Sequence, residues 1–351
     1  MKNGVLIRKN LPTDWISGQE TGITFVENVK DAQWDNYLPT DEKQSYPTFD
    51  TSCCVTFSAL NCVETLLKRL LTLKLIPEET KIWLDVNGYF DDNGNINFSD
   101  RFSAKMSGTT VNGNYLGAVW DSIRNDGLLP EKDYLFYGST WNEYMSEIPQ
   151  NLKNKALKFK EKFNVMYEWI TIKDQYLPMV TLSEHLKQSP IQVATATCMP
   201  WNTDQIINGC GIRTNHATMI YGFTDKYTKD YDTYNPFRKK WGLDYAIPYA
   251  IKAVIECKQL IEKPKPVKYT FLAKMELGQH SSDIVALQDL LKKEDCFPLT
   301  VNSTGYYGEI TRQAVLKFQK KYKVANAIEL AYVNGKWCGA KTLQVLNQRS
   351  N

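Results

Sequence analysis

Residues 54 to 74 carry the first clear pattern in the chain. Phe57, Leu60, Val63, Leu66, Leu67, Leu70 and Leu71 recur at a spacing of three and four, which gathers them on one face of a helix. A second helix is predicted at 115 to 127, where "YLGAVWDSIRNDG" ends on Gly127. A third, rich in Lys, is predicted around 150 to 163. The period then changes. "PIQVATATC" (190–198), "HATMIYGFT" (216–224) and "DYAIPYAIKAVIE" (244–256) are rich in β-branched and aromatic residues and read as strands. Helices first and strands later predict an α+β domain of two lobes, with a cleft between them as the natural place for a site.

The pattern breaks at "IEKPKPVKY", residues 261 to 269, where alternating Pro and Lys predict a stiff, solvated connector. A chain of 351 residues is longer than one core usually organises. The reading is therefore a first domain over 1–262, a linker at 263–268 and a second domain over 269–351. The second domain is predicted to be small and all-α, with three amphipathic helices. Ile284, Leu287, Leu290 and Leu291 mark the first, Ile310, Ala314, Phe318 and Tyr322 the second, and Leu343 and Leu346 the third. A near-repeat runs through it: Tyr306, Gly308 and Thr311 are echoed by Trp337, Gly339 and Thr342.

Composition changes this picture little. Hydrophobic residues make up 43% and charged residues 23%, as in ordinary globular chains. The net charge of +3 forces no nucleic-acid reading. From Tyr269 onward eleven Lys/Arg outnumber seven Asp/Glu, so the tail weakly favours a polyanionic surface. No run approaches the roughly 20 apolar residues of a membrane span. The start, "MKNGVLIRKNLPTDWISGQE", lacks the apolar core of a secretory signal, which predicts synthesis in a cytoplasm and no stable membrane insertion. Eight cysteines in such a length do not suggest a disulfide scaffold.

Candidate chemistry begins at "FDTSCCVTFSALN", residues 49 to 61. Adjacent cysteines bridge only with strain, so one of the pair is available for reactivity. A helix N-terminus favours an anionic sulfur, and Cys54 stands at the predicted helix start. Cys53 then points elsewhere and packs. A lone cysteine in an apolar run is more often a small hydrophobe, so a thiolate needs a base to make the case. There are three histidines. His185 lies on an exposed predicted helix and His280 lies in the tail, whereas His216 opens a strand of small and apolar residues. So few histidines, and no HExxH, leave no pattern for a hydrolytic zinc site; no metal or cofactor is expected. A base needs an orienting group. Asp232 and Asn235 are the two candidates, sixteen and nineteen residues beyond His216.

These residues carry a resemblance. "SCCVTFSALN" resembles the active-site segment of papain-like cysteine peptidases. "VNGNYLGAVWDSI", "SPIQVATAT" and "GCGIRTNHATMIYGF" resemble that family's cleft segment, its Pro-Val-Ser-Val strand and its histidine segment, in the same order over residues 32 to 257. The resemblance implies a two-lobed papain-like domain with Cys54 as nucleophile and His216 as base. Asp232 matches the spacing of the family's orienting Asn. The family's oxyanion Gln is expected six residues before the thiol, where Thr48 stands; Gln44, ten before, takes that role only if an inserted turn brings it in. Thr51 and Val111 stand where the family has a disulfide, while Cys210 and Cys257 keep a family-like spacing. The family's long inhibitory propeptide is not matched, because only 53 residues precede Cys54.

The tail, from "LGQHSSDIVALQDLL" through "STGYYGEITRQAVLKFQ" to "GKWCGAKTLQVLN", resembles a three-helix peptidoglycan-binding domain. Its implied partner is peptidoglycan, both stem peptides and glycan strands, with Tyr306, Tyr307 and Trp337 as exposed aromatics for sugar faces. Together the two resemblances imply a monomeric cysteine-nucleophile hydrolase, endopeptidase or amidase, cleaving amide bonds of bacterial cell-wall peptidoglycan. Such a chain is similar to phage endolysins, made without a signal peptide and acting on the wall after phage-type release. The alternatives are a thiol peptidase acting on proteins, in phage maturation or as an effector, and a catalytically weak wall-binding protein.

Overall fold

The central helix spans Cys54–Thr72 in the computed structural model, and every residue from Cys54 to Leu67 is buried. A helix buried on all sides must carry small or apolar residues all round and satisfy its polar ones internally. "CVTFSALNCVETLL" does so. Ser58 Oγ donates to Cys54 O (2.7 Å) and Thr65 Oγ1 to Asn61 O (2.7 Å). Glu64 Oε1 accepts from Phe98 N (2.9 Å).

The structure describes residues 4–8, 14–17, 23, 28–197, 201, 203–209, 211–258, 269–298 and 301–350. The linker read at 263–268 and Cys210 lie outside the described residues. Two compact units emerge, Met1–Leu260 and Ile261–Asn351.

In the first unit the helical lobe comes first in sequence. Helices Glu78–Val86, Asp100–Met106, Leu116–Asp126 and Gln150–Lys162 follow the central helix. Leu116–Asp126 ends where expected, because Gly127 takes φ 80° and an added Cβ would meet Ala156 O at 2.1 Å. Among the described residues the later part forms a seven-stranded sheet. From edge to edge its strands are Phe163–Ile170, Tyr249–Cys257, Ile191–Thr195, His216–Phe223, Tyr227–Tyr231, Arg238–Gly242 and Ile206–Ile207. All neighbours are antiparallel except the last pair. The strand read over 244–256 starts only at Tyr249. Pro248, which has no N–H to give a ladder, stands just before it.

The central helix packs on the strands that begin at His216, Tyr249 and Ile191. Gln192 fixes the helix start to the sheet: its Nε2 donates to Val55 O and Ser58 Oγ, both at 2.8 Å, and its Oε1 accepts from Trp120 Nε1 at 2.7 Å.

Behind the helix Glu42, Glu64, Asp100 and Glu131 face one another. Burial first, then repulsion from neighbouring carboxylates, raises these carboxyls above the ordinary range; hydrogen bonds offset this in part at Glu42, Glu64 and Glu131, and Glu131 is pushed up to about 8. The folded state thus keeps a proton that the unfolded chain releases near 4.5. The resulting penalty is absent below that pH and grows as pH rises through about 8. Glu131→Gln is expected to raise the melting temperature by a few degrees at pH 8 and hardly at all at pH 4.5. Calorimetry finding equal shifts at both pH values would contradict this.

The second unit holds the three expected helices, Ser282–Lys293, Glu309–Lys321 and Ala340–Arg349. A short fourth helix, Ala327–Val333, which the hydrophobic pattern did not reveal, precedes the last of them. Met275–Glu276 and Trp337–Cys338 form a small antiparallel ladder. Of the aromatics expected to face solvent, Tyr306 does so, but Tyr307 is fully buried and donates to Gly335 O at 2.8 Å. In extended chain, neighbouring side chains point to opposite sides, so only one of the pair faces out.

Candidate active site

Cys54 is the first residue of the central helix, with Cys53 at its N-cap position. The loop before it is held in an uncommon conformation: Ser52 sits at φ 57°, and its N–H donates to Asp50 Oδ1 at 2.8 Å. The first backbone N–H groups of a helix have no acceptor within it, and Cys54 stands at that donor-rich end. Cys53 turns away. Its Sγ lies 3.2 Å from Thr51 O, it packs among Phe57, Ala104 and Tyr144, and burial pushes its thiol up.

His216 opens its strand and Asp232 follows the next one, Tyr227–Tyr231. An antiparallel hairpin returns the chain to the end of the sheet where it began, which brings the two side chains together. His216 Nε2 lies 2.8 Å from Asp232 Oδ1, and both residues are buried. The Cys54 side chain also acts on the imidazole and raises its pKa, and Nδ1 is the ring nitrogen that Asp232 leaves free for it. Asn235, the other candidate orienter, is exposed. His185 is half-buried rather than exposed, and burial lowers its pKa. His280 belongs to the second unit.

Three neighbours were not singled out from the sequence. Lys239 Nζ lies 2.9 Å from Asp232 Oδ2 with neither side chain exposed, and it donates to Tyr234 O and Pro236 O at 2.7 Å each. Trp201 stands edge-on to the imidazole, centroids 5.4 Å apart, and Lys239 Nζ lies 5.3 Å from the Trp201 ring. Tyr234, 5.5 Å from the imidazole by centroids, gives its hydroxyl proton to Asp50. A signal for Lys239 existed. In "RKKWG" strand alternation puts it on the same face as the buried Trp241, and a buried ammonium demands a carboxylate.

Gln44 is buried beside this group. Its Nε2 donates to Asp50 Oδ1 (3.1 Å) and Tyr234 OH (2.8 Å), and its Oε1 accepts from Thr233 Oγ1 (2.8 Å). Both of its N–H groups are thus engaged, and no hydrogen bond among the described residues joins it to Cys54.

Charge follows from this layout. Burial alone would lower the His216 pKa, but the Asp232 carboxylate, then Cys54, outweigh it and push it up to about 10. Burial would raise the Asp232 carboxyl, but His216 and Lys239 hold it below the ordinary value. At neutral pH the site therefore favours an imidazolium beside the Cys54 sulfur, held by an ionised Asp232. The stabilisation from His216 is complete below about 6.5 and is lost as pH rises through about 10. Replacing Asp232 with Asn removes the main opposing charge and leaves Lys239 nearby, so the imidazole pKa should fall. Asp232→Asn is expected to move the alkaline limb of kcat/KM on a small amide substrate down by more than about one pH unit. An unmoved limb would mean that Asp232 does not set the charge of His216.

The space beside Cys54 is occupied by residues 4–6. Val5–Leu6 pairs in parallel with Asn114–Tyr115, Gly4 N donates to Asn215 O (3.0 Å), and Asn114 N donates to Gly4 O (3.2 Å). A Cβ on Gly4 would stand 2.5 Å from Cys54 Sγ, and one on Gly113 would stand 2.0 Å from Gly4 O. Both positions need glycine for close approach. Cys54 is accordingly only 1% exposed. The family's long inhibitory propeptide is not matched in the sequence, yet residues 4–6 lie across Cys54.

Among the described residues no group of His, Cys, Asp and Glu could hold a metal ion, and no helix is long and apolar enough to cross a membrane.

Residues 280–325 match the family model of a peptidoglycan binding domain. A search of curated proteins finds no match. Among solved structures, the chain is similar to the bromelain protease from Ananas comosus in complex with the E64 inhibitor, with 14% identity and a TM-score of 0.41 over 64% of this chain and 98% of that one. It is also similar to xylellain, a cysteine protease from Xylella fastidiosa, with 12% identity and a TM-score of 0.46 over 72% and 96%. A third is the digestive procathepsin L2 proteinase from Tenebrio molitor larval midgut, with 12% identity and a TM-score of 0.43 over 72% and 78%.

Proposed function

We propose that the first unit is a cysteine-nucleophile hydrolase, and that the second directs it to amide bonds of bacterial cell-wall peptidoglycan as an endopeptidase or amidase. The observation that carries the chemistry is the buried line Cys54–His216–Asp232, closed by Lys239. The match of residues 280–325 to a peptidoglycan binding domain supports the target.

In this reading the Cys54 sulfur attacks an amide carbonyl carbon. A C–S bond forms, and the carbonyl electron pair moves to oxygen, where the backbone N–H groups at the helix start stabilise it. His216 gives its Nδ1 proton to the leaving nitrogen as the C–N bond breaks. It then takes a proton from water as the hydroxide adds to the thioester, and the sulfur leaves. Asp232 keeps the Nε2 proton on its own side throughout, and Lys239 keeps Asp232 ionised. The Gln44 amide contributes only if its bonds to Asp50 and Tyr234 loosen when substrate binds. The finer reading, an endolysin reaching the wall after phage-type release, rests on the sequence resemblance alone.

The test is whole-wall lysis. Purified peptidoglycan should lose turbidity with the full chain, and the Cys54→Ala chain should pellet with the wall without clearing it. A chain that neither clears nor pellets with walls of several chemotypes would refute the reading.

A further inference from the structure

The near-repeat in the second unit is also a repeat of bonding, and its two halves differ at the oxygen of the glutamine. In the first half Gln288 Nε2 donates to Tyr306 O (3.0 Å) and Thr311 Oγ1 (2.9 Å), while its Oε1 accepts from Gly305 N (2.9 Å). In the second half Gln319 Nε2 donates to Trp337 O (3.1 Å) and Thr342 Oγ1 (3.0 Å). Its Oε1, however, is buried and has no hydrogen-bond partner among the described residues. The donor that would correspond to Gly305 is the N–H of Lys336, seventeen residues beyond Gln319, and that N–H donates instead to Val333 O (2.8 Å). The short helix Ala327–Val333 has drawn it away. A buried amide oxygen without a donor is costly, which is a reason to look for what completes it.

Gln319 lines an open cavity of about 300 Å³. Leu330 and Val333 give it an apolar wall, and Trp337 and Tyr332 form an edge-on ring pair beside it, centroids 6.2 Å apart. Glu329 and Lys341, an exposed ion pair at 3.0 Å, also line it. We propose that this cavity is a sugar site for one 2-acetamido-2-deoxyhexose residue. The acetamide N–H donates to Gln319 Oε1, its methyl group packs on Leu330 and Val333, and a C–H face of the ring lies on Trp337. The chemistry selects that group. One buried acceptor beside an apolar wall suits a donor that carries a methyl next to it. The ammonium of an unacetylated amino sugar has no methyl group for that wall, cannot be held by an unpaired anion because Glu329 already pairs with Lys341, and would be costly to bury beside Leu330 and Val333. The inference rests on the reading that the second unit binds peptidoglycan, and it names the part of the polymer held.

The test uses the full chain carrying Cys54→Ala. Saturation-transfer NMR with N-acetylglucosamine should show transfer strongest at the acetyl methyl, and glucosamine should show none at the same concentration. Ala340→Phe, which fills the cavity from an exposed position, and Trp337→Ala should each weaken sugar binding at least about tenfold. No binding of N-acetylglucosamine would overturn the site, as would equal binding of both sugars or binding untouched by Ala340→Phe. Pelleting with peptidoglycan separates this inference from the reading beneath it. A chain that pellets equally with and without Ala340→Phe, and resists competition by the sugar, overturns the sugar site and leaves wall binding standing. A chain that binds the sugar through this cavity but does not pellet supports the site and overturns the wall reading.

Discussion

Cys54→Ala should abolish hydrolysis, lowering turnover by roughly 10⁴-fold or more, as expected when the only nucleophile of a covalent mechanism is removed. Cys53→Ala should keep most of the activity. The two thiols are neighbours in sequence with opposite surroundings. Cys54 stands at the helix start against His216. Cys53 sits in an apolar cluster with Phe57 and Tyr144, where burial keeps it a thiol. Losing the Cys53 sulfur should cost on the order of 1 kcal/mol of stability, as for other small core truncations. Rate measurements on a small soluble amide, with melting curves for both variants, separate these outcomes. Comparable loss of turnover in both would put the chemistry elsewhere.

The second large effect concerns Gly4. A substrate carbonyl must come within about 3.5 Å of the sulfur, and that space is taken by Gly4. The covering segment is held near Cys54 by backbone hydrogen bonds of Gly4 to Asn215 and Asn114, by the Val5–Leu6 ladder and by the buried Val5 side chain, without a covalent tie to the cleft. Gly4→Val puts a side chain where the sulfur stands and should drive the segment out. Alkylation of Cys54 by iodoacetamide, followed by peptide mapping, should then speed up by roughly tenfold, and turnover of a small amide should rise with it. An unchanged alkylation rate would show that Gly4 does not limit access.

Much of the fold is legible in the sequence because period and punctuation are local. The central helix shows in its apolar spacing, its neighbour in Gly127, and the His216 strand in its run of small and apolar residues. What escapes is long-range. Lys239 reaches Asp232, and Trp201 the imidazole, only once the sheet has assembled, and nothing near either residue names its partner. Spacing left Asp232 and Asn235 as alternatives, since both follow the same strand; the hydrogen bond to His216 falls to the residue directly after it. The helix Ala327–Val333 is too short for a periodic signal, although Asn326 and Glu329 form a capping box at its start. Gly4 escapes for a different reason: a glycine is informative only when the atom it makes room for is known.

The central claim is that this chain cuts amide bonds of peptidoglycan with Cys54. Mass spectrometry of muropeptides released from purified walls tests it most directly. The account predicts soluble fragments that have gained one water at an amide bond, each break leaving a new free amine and a new carboxyl, and none of them from the Cys54→Ala chain. Fragments cut only at glycosidic bonds, or the same amide products from Cys54→Ala, would contradict it.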